Sequence, residues 1–199
     1  MRRIVVILLA LAAIAVMPQV AQAVEPHWLW AKPAEVIPEG TVVPVETFGG
    51  LTFVIKGPKK EKIAKIQCKL VDRDLIENPV GGGAGVDEMI TFEFTSCSFG
   101  GACTTGAPYS LQPAGLPWSS KLLAGSPIKN GLFMEFNLTC GGAILSTFKG
   151  MEFPTIKGFG GMKFAPATGT LTDGFGNTMM IAGKDNMKGP PGKEKISAV

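Results

Sequence analysis

Ala64-Lys65-Ile66-Gln67-Cys68-Lys69-Leu70 alternates without a break, with every even position small or apolar and every odd one polar. A two-residue period belongs to a strand that buries one face and wets the other. Met134-Glu135-Phe136-Asn137-Leu138-Thr139-Cys140 repeats the pattern, and Ile90-Thr91-Phe92-Glu93-Phe94-Thr95 lines one face with aromatic rings. Leu51-Thr52-Phe53-Val54-Ile55 alternates as well and runs into a charged turn, Lys56 to Lys62, which predicts a hairpin with the Cys68 strand. Thr41 to Gly49 reads as a separate edge strand, because Pro44 removes a ladder donor.

Farther along, Trp118–Leu123 pairs with Leu132–Cys140 through Gly125-Ser126-Pro127 and Asn130-Gly131. Thr170–Thr172 and Thr178–Ala182 flank Asp173-Gly174-Phe175-Gly176 as a last hairpin. Beyond the first 23 residues, no long window keeps a helical period free of glycine and proline. The expected fold is therefore all-β, an antiparallel β-sandwich or, as the alternative, a β-barrel, of about eight to ten short strands.

Residues 1–23 have the layout of a Sec-type signal peptide: Arg2-Arg3, an apolar run from Ile4 to Val16, and Ala21-Gln22-Ala23. The run is too short to span a bilayer. Cleavage near Ala23 predicts a secreted protein that is free of the membrane. It also lowers the formal net charge from +3 to +1, which speaks against nucleic acid as a partner. Residues 24–183 are expected to form a single β-rich domain, and the Pro-Gly-Lys-rich residues 184–199 a flexible tail.

Four cysteines in an exported chain predict two disulfides. Three pairings are open. Cys97 and Cys103 bracket a short flexible loop, which leaves Cys68 with Cys140 on the core faces of their strands. Zinc is disfavoured, since there is no C-x-x-C spacing and no nearby histidine.

Between the Cys68 and Cys97 strands lies Glu77-Asn78-Pro79-Val80-Gly81-Gly82-Gly83-Ala84-Gly85-Val86-Asp87-Glu88. A phosphate cradle fails here, because Asp87 and Glu88 repel an anion and neither a helix nor a Lys-Ser/Thr pair follows. Glu77, Asp87 and Glu88 form instead a candidate Ca²⁺ set, a hard ion taking oxygen ligands from irregular loops. No other cofactor is expected.

His27-Trp28, Pro38-Glu39-Gly40, Pro44-Val45 with Phe48-Gly49, Cys68-Lys69, Glu77-Asn78-Pro79 through Gly85, Leu116-Pro117-Trp118 and Cys140 occur in an order that resembles a group of exported proteins of soil actinobacteria. The resemblance implies export and a disulfide-bonded β-rich domain, and it implies no activity.

Catalysis is poorly supplied. His27 is the lone histidine, Gly-x-Ser-x-Gly is absent, and the cysteines are committed to disulfides, so no catalytic residue is singled out. A carboxylate pair for polysaccharide hydrolysis would come from Glu77, Asp87, Glu88, Glu93 or Glu135. Trp28, Trp30 and Trp118 are candidates for a sugar-stacking surface, against the commoner role of such rings in a core. Lys56, Lys59, Lys60, Lys62 and Lys65 form a basic hairpin end that attracts anionic polymer or guards an exposed edge. Asn137-Leu138-Thr139 matches a glycosylation sequon but lies within a strand, which makes the match incidental. The expected function is a secreted, non-catalytic β-domain whose role the sequence does not specify. It either binds a cell-surface polymer, such as a cell-wall polymer, or an extracellular protein, or serves a structural part. The alternative is a small carboxylate-dependent hydrolase.

Overall fold

A computed structural model describes residues 24–199 apart from 102, 104, 159 and 194, so the expected signal peptide lies outside the described residues. Among the described residues there are fourteen strands and no helix.

Three long strands form the largest part of the wall: β3 (Val43–Lys56), β4 (Lys62–Glu77) and β5 (Val86–Gly100). The antiparallel wall continues through β7 (Trp118–Leu123), β8 (Lys129–Cys140), β9 (Ala143–Glu152), β12 (Leu171–Thr172) and β13 (Thr178–Lys188). β13 then pairs back onto β3, from Thr178↔Lys56 to Lys188↔Glu46, which closes an eight-stranded barrel. Closure removes the sheet edges that a sandwich would leave exposed. Of the two expected all-β architectures, the barrel is the one formed.

Short strands complete the wall. β6 (Tyr109–Pro113) pairs with β8, while β10 (Thr155–Lys157) and β11 (Gly161–Phe164) bridge β8 to β13 beside β9 and β12. The expected short segments Thr41–Gly49 and Leu51–Ile55 prove to be one continuous strand, β3, bonded on both sides. Pro44 is tolerated because it lies two residues beyond the last β13 pair and needs no donor there.

The interior follows the alternation read from the sequence. Phe53, Phe92, Phe94, Phe136 and Trp118 meet mostly edge to face at 5.1–5.6 Å between ring centres, with Phe94 stacked on Phe136 at 6.1 Å. The Trp118 Nε1–H is satisfied by the Ala114 carbonyl at 2.7 Å.

A separate three-stranded sheet caps the end where β4 gives way to β5. It consists of β1 (Trp28–Ala31) between β2 (Ala34–Val36) and β14 (Ile196–Ala198). Trp28, Trp30, Ile37 and Ile196 are buried beneath it. Asn78 fastens the cap: Trp28 N–H donates to Asn78 Oδ1 at 2.7 Å, and Asn78 Nδ2 donates to the Trp28 and Ile37 carbonyls at 2.9 and 2.7 Å. Gly85 is needed beside it, since an added Cβ would lie 2.6 Å from Trp28 Cδ1. By contrast Gly81, Gly82 and Gly83 have positive φ and face open space, so the glycine run is an exposed corner.

Two expectations are corrected. Residues 184–199 are not a loose tail: β13 reaches Lys188, and β14 pairs with β1 with Ile196 fully buried. Apolar residues spaced among the lysines and glycines supply the anchorage that composition hides. Lys193 adds a cation over the Trp30 ring, 4.7 Å from its centre.

The cysteine pairing also differs. Cys68 bonds Cys97, and Cys103 bonds Cys140. β5 does not turn after Cys97 but runs on to Gly100, placing Cys97 directly opposite Cys68 with 4.1 Å between their Cα atoms. Cys103 then falls beside Cys140 across the β6–β8 pair. Non-reducing peptide mapping is expected to give these two links, and a Cys68–Cys140 peptide would contradict the register of β4 on β5. Loops of 29 and 37 residues make each bridge worth roughly 3–4 kcal/mol in the chain-entropy model.

Candidate functional site

The alternation of β4 does not stop at Leu70. Two and four residues on, the same inward face carries Asp72 and Asp74, 0% and 2% exposed. β5 adds Asp87, β13 adds Asp185, and Thr47, Ser120 and Asn130 arrive from β3, β7 and β8, all buried. The barrel thus holds a polar layer between its aromatic half and its capped end. Asp185 has room only because β3 carries glycine opposite it: a Cβ at Gly49 would stand 2.3 Å from Asp185 Oδ1.

Donors are scarce in this layer. Thr47 Oγ1 donates to Asp74 Oδ2 at 2.8 Å and Ser120 Oγ to Asp87 Oδ2 at 3.0 Å, while Asn130 Nδ2 reaches the same Asp87 oxygen at 3.4 Å. Both Asp72 oxygens, one oxygen each of Asp74, Asp87 and Asp185, and Asn130 Oδ1 have no partner. No lysine or arginine is buried among the described residues, and Arg73, between the two β4 aspartates, faces out.

Carboxylates in such surroundings hold their protons. Burial raises Asp72 to about 7, with the nearby Thr47 hydroxyl pulling the other way. It raises Asp87 to about 6, opposed by Ser120 and Asn130. Asp74 and Asp185 are pushed well up by burial first, and next by the charge of Asp87 and of Asp72 respectively. Away from this layer, Glu152 at the end of β9 is fully buried and raised by burial to about 7, with Thr168 opposing. The layer stores protons within a closed wall, out of reach of a polymeric substrate.

The candidate Ca²⁺ set is divided by that wall. Asp87 and Glu88 are successive on β5 and point to opposite faces, so Glu77 and Glu88 lie outside while Asp87 lies inside. Among the described residues no three His, Cys, Asp or Glu side chains are placed to hold a metal ion. Trp28, Trp30 and Trp118 are 0%, 5% and 0% exposed, and they therefore pack the core and cap rather than present a sugar platform. Of the candidate hydrolytic acids, Glu77 and Glu88 share an outer concavity of about 310 Å³ whose floor Asp87 also lines, with its side chain buried, whereas Glu93 is exposed elsewhere on β5 and Glu135 lies opposite Lys149.

The outer wall presents a second feature that single-strand reading misses, because it exists only once strands are in register. Lys69 on β4 stands opposite Gly50 on β3, Gly50 opposite Lys184 on β13, and Lys184 opposite Lys163 on β11. Lys163 then lies opposite Thr155 on β10, and Thr155 opposite Lys129 on β8. All four lysines are exposed. Around Lys163 and Lys184 the wall forms a concavity of about 490 Å³, lined also by Lys157 and Asn186 and floored by the buried residues Phe164 and Asp185.

No acidic residue occupies this row, or the adjacent outward rows on β3, β10, β11 and β13. None of these lysines makes an ion pair among the described residues. Directly opposed like charges destabilise a sheet, so Lys163 and Lys184 gain nothing from each other. With five acids enclosed, the outer wall shows solvent a more positive balance than the formal charge suggests. No family model matches the chain, and comparison with curated proteins and with solved structures yields no match, so its chemistry is read from its own side chains.

Proposed function

We propose that the protein is an exported, non-catalytic binding domain that attaches to an anionic polymer of the cell surface. The observation that carries this reading is the row of unpaired lysines on the outer wall, with its concavity around Lys163 and Lys184. Export is supported by the sequence layout of residues 1–23, by the two disulfides, and by the resemblance to exported actinobacterial proteins. No helix among the described residues is long and apolar enough to cross a membrane.

The site lies on the side of the wall opposite the proton-holding carboxyls, which serve the interior rather than a substrate. A hydrolase built on Glu77 and Glu88 is the weaker reading, because their concavity offers no aromatic face for a sugar ring. The test is retention of the purified protein on Gram-positive cell-wall fragments, before and after chemical removal of their phosphate- and carboxylate-bearing polymers. Retention is expected to vanish on stripped walls. It should also fall steeply as ionic strength rises from about 0.1 to about 1 M, where the screening length shrinks from roughly 10 to 3 Å. Equal retention on stripped walls, or none on intact ones, would overturn the assignment. Release of reducing sugar ends from the fragments would overturn its non-catalytic part.

A further inference from the structure

We propose that the ligand of the lysine face is a flexible, linear, phosphate-bearing polymer that lies across the strands along Lys69, Lys184, Lys163 and Lys129. This rests on the binding-domain reading above and names the ligand of the same site.

The geometry comes from the register. Neighbouring strands are about 4.8 Å apart, so Lys184 and Lys163 are two cationic side chains rooted about 5 Å apart. One strand step is empty of charge on either side, at Gly50 and at Thr155, which places Lys69 and Lys129 about 10 Å farther out. From Lys69 to Lys129 the row covers about 24 Å of wall. An isolated phosphate touches only the central pair. Four charges set in one file answer a chain whose negative groups recur. Gly50 has no side chain and is exposed, which leaves the track open between Lys69 and Lys184. The wall is curved, so the polymer must bend with it.

The side chains also bear on the class. Every cation in the row is a lysine, a compact point charge that binds phosphate without needing a planar bidentate geometry. The row itself holds no aromatic side chain, and the three tryptophans are buried. The nearest rings, exposed Phe48 beside Gly50 and half-buried Phe153 beside Lys129, are separated by intervening strands and form no continuous stacking surface for nucleobases. A phosphate chain without bases fits both facts.

The experiment titrates the purified protein with orthophosphate, tripolyphosphate and long-chain polyphosphate, and with single-stranded DNA and polyglutamate of matched charge. Long polyphosphate is expected to bind at least about tenfold more tightly per chain than tripolyphosphate, with a salt slope that grows by nearly one for each lysine engaged. The paired change Lys163→Gln and Lys184→Gln should weaken both phosphate chains. Lys69→Gln and Lys129→Gln should weaken only the long one, by about tenfold, leaving tripolyphosphate within about twofold. All four side chains are exposed, and unchanged melting of the variants verifies that the fold is intact.

Length-independent affinity, or end variants without effect, would overturn the row while leaving the wall-binding result untouched. Tighter binding of DNA or polyglutamate than of polyphosphate would overturn the phosphate class. Loss of wall retention itself would instead defeat the binding-domain reading.

Discussion

The melting temperature is expected to fall as pH rises from about 4 to about 8, the reverse of a protein whose carboxylates are salt-bridged. Asp72 titrates near 3.8 in the unfolded chain and near 7 inside the barrel. Between those values the folded state holds a proton that the unfolded state has released. Stability is then fully present below the unfolded value and is lost as pH climbs through the folded one. A shift of this size corresponds to roughly 4 kcal/mol for Asp72 alone. Glu152, raised to about 7, and Asp87, raised to about 6, act in the same direction, as do Asp74 and Asp185. The five are not additive, because the first proton lost makes its neighbours harder to ionise.

In a domain of this size, 4 kcal/mol corresponds to a drop of about 10 °C, readable by calorimetry or circular dichroism across a pH series. Asp173 sets the lower limit of the window. Burial would raise it, but hydrogen bonds from Ser146, Asn177 and the backbone N–H groups of Phe175 and Asn177 pull it down, so its contribution is lost in acid. Asp72→Asn should flatten the profile and gain most above pH 7. A melting temperature that rises steadily from pH 4 to 7 would show that the interior acids are solvated or paired after all.

The second large effect is expected at Asn78. Asn78→Ala leaves the Trp28 amide and the Ile37 carbonyl unpaired in a buried setting, while the Trp28 carbonyl keeps the Ile37 N–H at 3.0 Å. Each orphaned group costs about 1–3 kcal/mol, so a loss of roughly 2–6 kcal/mol is anticipated. Because Trp28 and Trp30 lie under the same cap, the variant should also shift tryptophan emission to the red below its melting point. Val80→Ser, two residues away and 76% exposed, serves as the control and should change neither signal. If Asn78→Ala unfolds within about 1 kcal/mol of the parent protein, water replaces the side chain and the cap does not depend on it.

Much of the wall was legible in the sequence, because a two-residue period can be read from a single strand. The alternation of 64–70 and 134–140 gave the core faces correctly. It would have revealed Asp72 and Asp74 as interior residues had the period been carried four positions further. The lysine row and the cysteine partners depend instead on which strand lies beside which, and at what register. Neither is encoded in any one segment. Cys97 looked like the lip of a loop because Ser-Phe-Gly-Gly follows, yet pairing with β4 holds the backbone extended as far as Gly100. For the tryptophans the commoner role, packing in a core, is the one found, but the partner strand of Trp28 and Trp30 lies about 170 residues away in sequence, too far for local pattern to identify.

That last pairing has a consequence for the newborn chain. β1 emerges first and its partner β14 last, with His27 and Val199 exchanging both backbone hydrogen bonds, at 2.7 and 3.0 Å. Until β14 is made, the cap sheet lacks one of its three strands and Trp30 lacks the Lys193 cation, although Asn78 and Val86 already hold Trp28. Completion of the cap therefore waits for β14. Until then the incompletely covered Trp30 ring offers a landing place for a chaperone, and a chain that stalls before Ile196 would display it as a mark of its own incompleteness.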